Sequence, residues 1–231
     1  MLVCCWSPKG GSGTSVFAAA AALVLAREGP ARIADLAGDL PAIFGLASDP
    51  DPGLRDWLRI GAEAPTDALD RFSTDAANGL TLLGAGGGDL TGVPPEAGAA
   101  LAVALASDPR PTVVDAGVVG PQPDAVHAFV EVADAHVVVV RGCYLALRRA
   151  VRIELTARAS GVVFVDEASR SLGPRDVASV LGVPVLTTVP VRASTARAVD
   201  AGVLATRLPD SLSRPAREVL RRLGGFREAA A

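Results

Sequence analysis

Short, largely apolar runs alternate with longer Ala- and Leu-rich stretches along the whole chain. The apolar runs are Leu2–Trp6, Ala31–Ala34, Leu80–Leu83, Thr112–Asp115, His136–Val140, Gly161–Val165 and Val183–Thr187. Most lack the apolar–polar alternation of a half-solvated strand. Such runs are typical of a parallel sheet covered on both faces. Between them the pattern predicts helices over Ser15–Glu28, Asp39–Leu46, Gly53–Ile60, Pro95–Ala106, Pro123–Val132, Tyr144–Ala159, Pro174–Leu181 and Ser213–Arg227. Strand–helix alternation over the full length predicts a doubly wound α/β fold, with a mostly parallel central sheet of about seven strands and helices on both faces. Asp49-Pro50-Asp51-Pro52 and Gly84–Gly88 read as loops. No internal repeat or linker-like break divides the sequence, so residues 1–231 are expected to form a single domain.

Composition narrows the function classes. Half of the 231 residues are hydrophobic, enough for a full core, and with only 4% aromatic residues that core must be Val, Leu, Ile and Ala. A net charge of −3 gives no global basic balance for nucleic acid or anionic membrane. Cys4, Cys5 and Cys143 are too few for a disulfide framework and lack metal-ligand spacing. Cys4 and Cys5 are adjacent in a strand, so they point to opposite faces as small core residues. A reducing, cytoplasmic setting is expected. His127 and His136 also lack metal spacing and read as structural. The longest apolar run, Val16–Ala26, is too short to cross a bilayer. No basic stretch precedes it, so it is not read as a signal sequence.

The candidate chemistry lies at Ser7-Pro8-Lys9-Gly10-Gly11-Ser12-Gly13-Thr14-Ser15, between the first strand and the first helix. That context suits a phosphate-binding loop, whose backbone N–H groups and following helix N-terminus attract anions. Lys9 is the only lysine among 22 basic residues. A chain that otherwise uses arginine throughout keeps one compact ammonium here, on a flexible stem. The standard loop reads GxxxxGK[ST]. Aligned on Gly13, this chain has Thr14 in the lysine position and Ser15 at the magnesium-binding hydroxyl.

The pattern KGGxGxS resembles the deviant phosphate loop of the MinD/ParA family, whose full motif is KGGxGK[ST]. The resemblance extends over essentially the whole chain. Asp35 in Ile33-Ala34-Asp35-Leu36-Ala37 falls on the first acid of a DxD-type segment. Ala37 stands where the family places the acid that positions the attacking water, and Asp39 could substitute only if the loop shifts by two residues. Asp115 in Val113-Val114-Asp115-Ala116-Gly117 matches the magnesium-facing acid of the Walker B strand. Val139-Val140-Arg141-Gly142 with Tyr144–Arg149 is similar to the strand and helix near the base-binding side. Val183–Pro190 with Ala198-Val199-Asp200-Ala201-Gly202 is similar to the family's closing segment. Threonine in the lysine position resembles the TadZ/CpaE group, which localises pilus-assembly machinery.

The resemblance implies an adenine-nucleotide-binding positional or assembly factor. Lys9, Gly10, Gly11, Ser12, Gly13, Thr14 and Ser15 would hold ATP or ADP. Ser15, Asp115 and Asp35 would serve Mg2+. Lys9 would reach across a homodimer to the partner's nucleotide. Losing the loop lysine leaves the backbone cradle intact but weakens transition-state charge stabilisation. Weak or absent ATP hydrolysis is therefore expected, with no confident catalytic residue beyond Lys9 and Asp35 as candidates. Three alternatives stay open: Asp35 in a structural role, a slow but genuine ATPase in division or partitioning, and a nucleotide-free scaffold for a protein partner. A cluster-bearing electron carrier does not fit the cysteine pattern. Asp166 and Glu167 end a strand and face either base and ribose or solvent. Arg148, Arg149, Arg152 and Arg158 fall on one predicted helix. Arg214, Arg217, Arg221, Arg222 and Arg227 fall on the last, beside a stripe of Leu212, Val219, Leu220, Leu223 and Phe226. Such helices can meet DNA or membrane, but a final helix packed on the sheet is the favoured reading. Recruitment to a pole or the inner membrane surface stays open.

Overall fold

The computed structural model describes residues 1–61, 63–65 and 67–224. Its strands are β1 (Leu2–Ser7), β2 (Ala31–Asp35), β3 (Ser73–Ala77), β4 (Leu80–Leu83), β5 (Thr112–Val118), β6 (Ala135–Arg141), β7 (Gly161–Asp166) and β8 (Val185–Pro190). They form one sheet in the order β3-β4-β2-β5-β1-β6-β7-β8. Only β3 runs antiparallel to its neighbour, β4. The helices are α1 (Thr14–Ala26), α2 (Leu40–Phe44), α3 (Leu54–Ile60), α4 (Ala68–Arg71), α5 (Pro95–Ala106), α6 (Ala125–Val132), α7 (Tyr144–Ala150), α8 (Leu155–Arg158), α9 (Pro174–Leu181), α10 (Ala193–Asp200) and α11 (Asp210–Arg222).

Two apolar cores lie on opposite faces of the sheet. One contains Cys5 with buried residues of α1, α2, α10 and α11; the other contains Cys4 and Trp6 with residues of α3 through α9. The adjacent cysteines therefore do split between faces, as the strand period requires. Helix α1 is buried from Phe17 to Leu25, because α11 packs on the side that the sheet leaves open. The chain leaves β1 toward β2 and β5 on one side and returns to β6 on the other. β1 therefore sits where the strand order reverses, and in such sheets ligands bind in the crevice beyond the carboxyl ends of the strands. At the opposite end, buried Arg32 holds Asp108 at 2.6 Å and Asp70 at 3.1 Å.

The expected mostly parallel sheet is present, with eight strands among the described residues where about seven were expected; the addition is β3. Ser73–Ala77 is polar and partly exposed, as an edge strand can be, so it carries no apolar signal. Its turn, Asn78-Gly79, with Gly79 at φ 74°, was the available clue. β8 begins at Val185, not Val183, since Pro184 has no N–H for the ladder and offers only its carbonyl to Val162. The helix predicted over Tyr144–Ala159 is two, α7 and α8. Thr156 Oγ1 donates to the Ala150 carbonyl at 2.7 Å, satisfying the end of α7. The arginines there therefore do not share one helix, and Arg158 pairs with Glu131 and Glu154. The short helices α4 and α10 fall outside the predicted elements.

The last helix packs as favoured. Leu212, Val219 and Leu220 are buried in the core, while Arg214 and Arg222 pair with Asp210 and Glu218 one turn away. Phe226 and Arg227 lie outside the described residues.

Candidate functional site

The glycine loop leaves β1 at its carboxyl end. Ser7 Oγ and Ser12 Oγ both donate to the Lys9 carbonyl, at 2.9 and 2.7 Å, and fold the loop on itself. Gly11 and Gly13 have φ of 74° and 90°, a left-handed backbone that side chains rarely adopt. Gly13 is also the N-cap of α1, so no side chain caps the helix, and its first turn carries no acid. No side chain takes the first-turn N–H groups, and the positive end of the helix dipole lies behind them.

Strand register brings the acids alongside. Asp115 lies opposite Cys5 of β1 and Asp35 of β2. Asp115 Oδ1 accepts from the Gly117 N–H at 3.0 Å. Its Oδ2 is buried without a hydrogen-bond partner. Burial, and then the neighbouring Asp35 and Asp39 carboxylates, push its pKa up to about 7 against the pull of the nearby Ser15 hydroxyl and the Gly117 N–H. Asp35 is engaged differently. Its two oxygens accept from the N–H groups of Gly38 at 2.6 Å and Leu40 at 2.9 Å. Burial still raises its pKa, with those hydrogen bonds opposing. The loop it ties down carries Asp39, whose Oδ2 accepts from Ser15 Oγ at 3.3 Å. Asp39 thus lies beside Ser15 on the cavity wall.

Gly10 through Val16, Ala37, Asp39, Ile43, Gly117, Val118, Arg141 and Val199 line a cavity of about 600 Å³. Thr14 and Ser15 are on its wall; Lys9 is not. Lys9 Nζ is exposed and donates to the Gly10 carbonyl at 3.1 Å. A narrower apolar cleft of about 170 Å³ adjoins it, sharing Gly13, Val16, Arg141 and Val199 and adding Phe17, Val165 and Pro190. Glu167 turns to Arg170 at 3.0 Å and Arg141 at 3.6 Å, which hold its carboxyl below the usual range. Arg141, expected near the base-binding side, lines this cavity as well, and Ile43, Val118 and Val199 join its wall without having been expected there. A basic residue closing an apolar strand, in Val140-Arg141-Gly142, was a readable signal for Arg141.

Phosphates and a magnesium ion fit this donor set. The uncapped helix end and glycine loop supply N–H donors, and Asp115 Oδ2 and Ser15 Oγ supply oxygens. Among the described residues no three His, Cys, Asp or Glu side chains converge as a metal cage.

A glycine loop between a central parallel strand and a buried helix, with a buried aspartate ending the adjacent strand, defines the P-loop class of α/β folds. No family model and no curated protein sequence matches this chain. Solved structures do. The ParA family ATPase from Chlorobium tepidum TLS superposes with a TM-score of 0.77 at 19% identity, over 93% of this chain and 95% of that one. MinD in the MinC:MinD cell division complex of Aquifex aeolicus gives 0.76 at 18%, over 100% and 98%. The septum site-determining protein MinD from Pyrococcus horikoshii OT3, complexed with Mg-ADP, gives 0.75 at 15%, over 94% and 93%. The chain has the MinD/ParA-like form of the P-loop fold.

Proposed function

We propose that residues 1–231 work as one nucleotide-binding unit, a positional or assembly factor that takes ATP or ADP with Mg2+, dimerises when it does so, and hydrolyses ATP weakly or not at all. The observation that carries this reading is the uncapped N-terminus of α1, opening into a cavity walled by Gly10, Gly11, Ser12, Gly13, Thr14 and Ser15. Backbone N–H groups there would cradle phosphates. Ser15 and Asp115 would hold the Mg2+ water shell. Asp35 would act through the loop it holds, with Asp39 as the acid that reaches Ser15. A bound Mg2+ would neutralise phosphate charge. The apolar cleft beside Gly13 suits a purine base. Lys9, which does not line the cavity, would serve a partner subunit's nucleotide.

The MinD structure with Mg-ADP supports the cofactor assignment by fold, and the MinC:MinD complex supports a protein partner. Thr14 in the lysine position supports a role of the TadZ/CpaE kind, in placing pilus machinery at the cytoplasmic face of the cell. No helix among the described residues is long and apolar enough to cross a membrane.

Calorimetry with ATP and ADP in the presence of Mg2+ tests the reading. Binding is expected in the micromolar to sub-millimolar range, about −8 to −5 kcal/mol. No heat and no rise in melting temperature at millimolar ATP would leave the nucleotide-free scaffold instead. Asp39 on the cavity wall favours a second reading, a slow ATPase; single-turnover hydrolysis separates the two.

A further inference from the structure

We infer that Arg141 is the phosphate-binding cation of this site, standing in from β6 for the lysine that the glycine loop lacks. The inference rests on the nucleotide reading above and adds to it the residue that balances the phosphate charge.

The cavity needs a cationic side chain beside Mg2+. Its loop has Thr14 where a lysine would reach the β and γ oxygens, and Asp39 on its wall and buried Asp115 beside it are acids. Bringing a polyphosphate against them without a positive charge costs heavily in a partly desolvated site. Lys9 does not serve the cavity from within one subunit, since its ammonium folds onto the Gly10 carbonyl on the solvent side. Arg141 is the one basic side chain among the described residues lining the cavity.

Its position and bonding suit that role. Arg141 ends β6, the strand beside β1, so its backbone is fixed by the sheet, and its side chain lines both the cavity and the adjoining apolar cleft. That is the junction where phosphates would meet nucleoside. Arg141 Nε is buried with no hydrogen-bond partner. Its Nη1 reaches Glu167 only at 3.6 Å, while Glu167 holds Arg170 more closely at 3.0 Å. The guanidinium is oriented by one distant carboxylate and keeps donors for a second anion. A planar fork of N–H groups matches two phosphate oxygens at once. Contacts from this junction would fall on the phosphates that ATP and ADP share.

The test is calorimetric titration of ATP and ADP, each with Mg2+, into wild type, Arg141→Met, Arg141→Lys and Glu167→Gln. Arg141→Met should weaken both nucleotides by about tenfold to a hundredfold, the range of a charge-assisted hydrogen bond, with melting temperature unchanged. Arg141→Lys should recover part of the loss. Glu167→Gln, which frees the arginine, should tighten binding. Wild-type affinity in Arg141→Met overturns the inference and leaves the nucleotide reading standing. A loss in Glu167→Gln equal to that in Arg141→Met makes the ion pair a structural support and also overturns it. Absence of binding to wild type would remove the nucleotide reading and this inference together.

Discussion

Two loops leave the carboxyl ends of the strands that flank β5, and they resolve the same problem in opposite ways. After β1, the loop satisfies its own serine hydroxyls with the Lys9 carbonyl and leaves the α1 N-terminus uncapped. After β2, the loop turns its N–H groups inward onto a buried carboxylate, Asp35. The first leaves its helix end without a side-chain cap. The second commits the Gly38 and Leu40 N–H groups to Asp35 and presents Asp39 to Ser15. An aspartate at a strand end is therefore not automatically a metal-side acid. Asp115, between the two loops, keeps one oxygen unpartnered, whereas Asp35 has both engaged.

The sharpest way to break this comparison is Asp35→Ala. If Asp35 builds the second loop, its removal orphans two backbone N–H groups at a buried site and should cost roughly 2–4 kcal/mol of stability. Urea unfolding checks this, and a loss below about 0.5 kcal/mol, the scale of an ordinary surface change, would return Asp35 to a purely ligand-side role.

Asp115 gives the next largest effect. Its pKa is raised to about 7 in the folded state, against an unfolded value near 3.9. The native state therefore holds this proton more tightly than the unfolded chain does. The associated stability is full below the unfolded value and is lost as pH rises through about 7. Relative to Asp115→Asn, which stays neutral, wild type should lose roughly 1–3 kcal/mol between pH 5 and 8. Parallel melting curves for the two proteins across that range would contradict a buried, unpartnered carboxylate.

A smaller change sharpens the contrast between the loops by altering both. Thr14→Lys restores the cation of the first loop and Ala37→Asp the missing acid of the second. Together they should raise single-turnover ATP hydrolysis by about tenfold, equal to about 1.4 kcal/mol of barrier. A wild-type turnover already near about 1 per second, within the ordinary enzyme range, would overturn the view of the first loop as catalytically incomplete.

Lys9→Ala should disturb the fold least, by less than about 0.5 kcal/mol, because its ammonium is exposed and touches only Gly10. Its effect should appear in assembly. Ultracentrifugation with ATP and Mg2+ should find a dimer for wild type and a monomer for Lys9→Ala. Lys9→Arg should fail as well, since a guanidinium is bulkier and lacks the compact charge of an ammonium. Identical behaviour with and without nucleotide would make Lys9 a relic of the loop.

The sequence by itself determined what depends on neighbours along the chain. Apolar runs of strand length between helical stretches specified the parallel sheet. The glycines of Gly10–Gly13 specified a loop that leaves a helix end uncapped, and a strand ending in Asp115 placed an acid at the sheet's carboxyl edge. Periodicity and turn chemistry are local, so these elements were legible. Tertiary structure alone decided the rest. β3 is a polar edge whose pairing depends on β4, and the break between α7 and α8 depends on where Thr156 finds a carbonyl. Asp35 holds its own loop and Asp39 meets Ser15 because the direction of a short loop is set by which backbone groups its acid captures. Arg141 reached the cavity beside the glycine loop only because β6 packs beside β1. Residues far apart in the chain meet by strand order, and strand order is fixed by burial across the whole sheet rather than by the residues beside them.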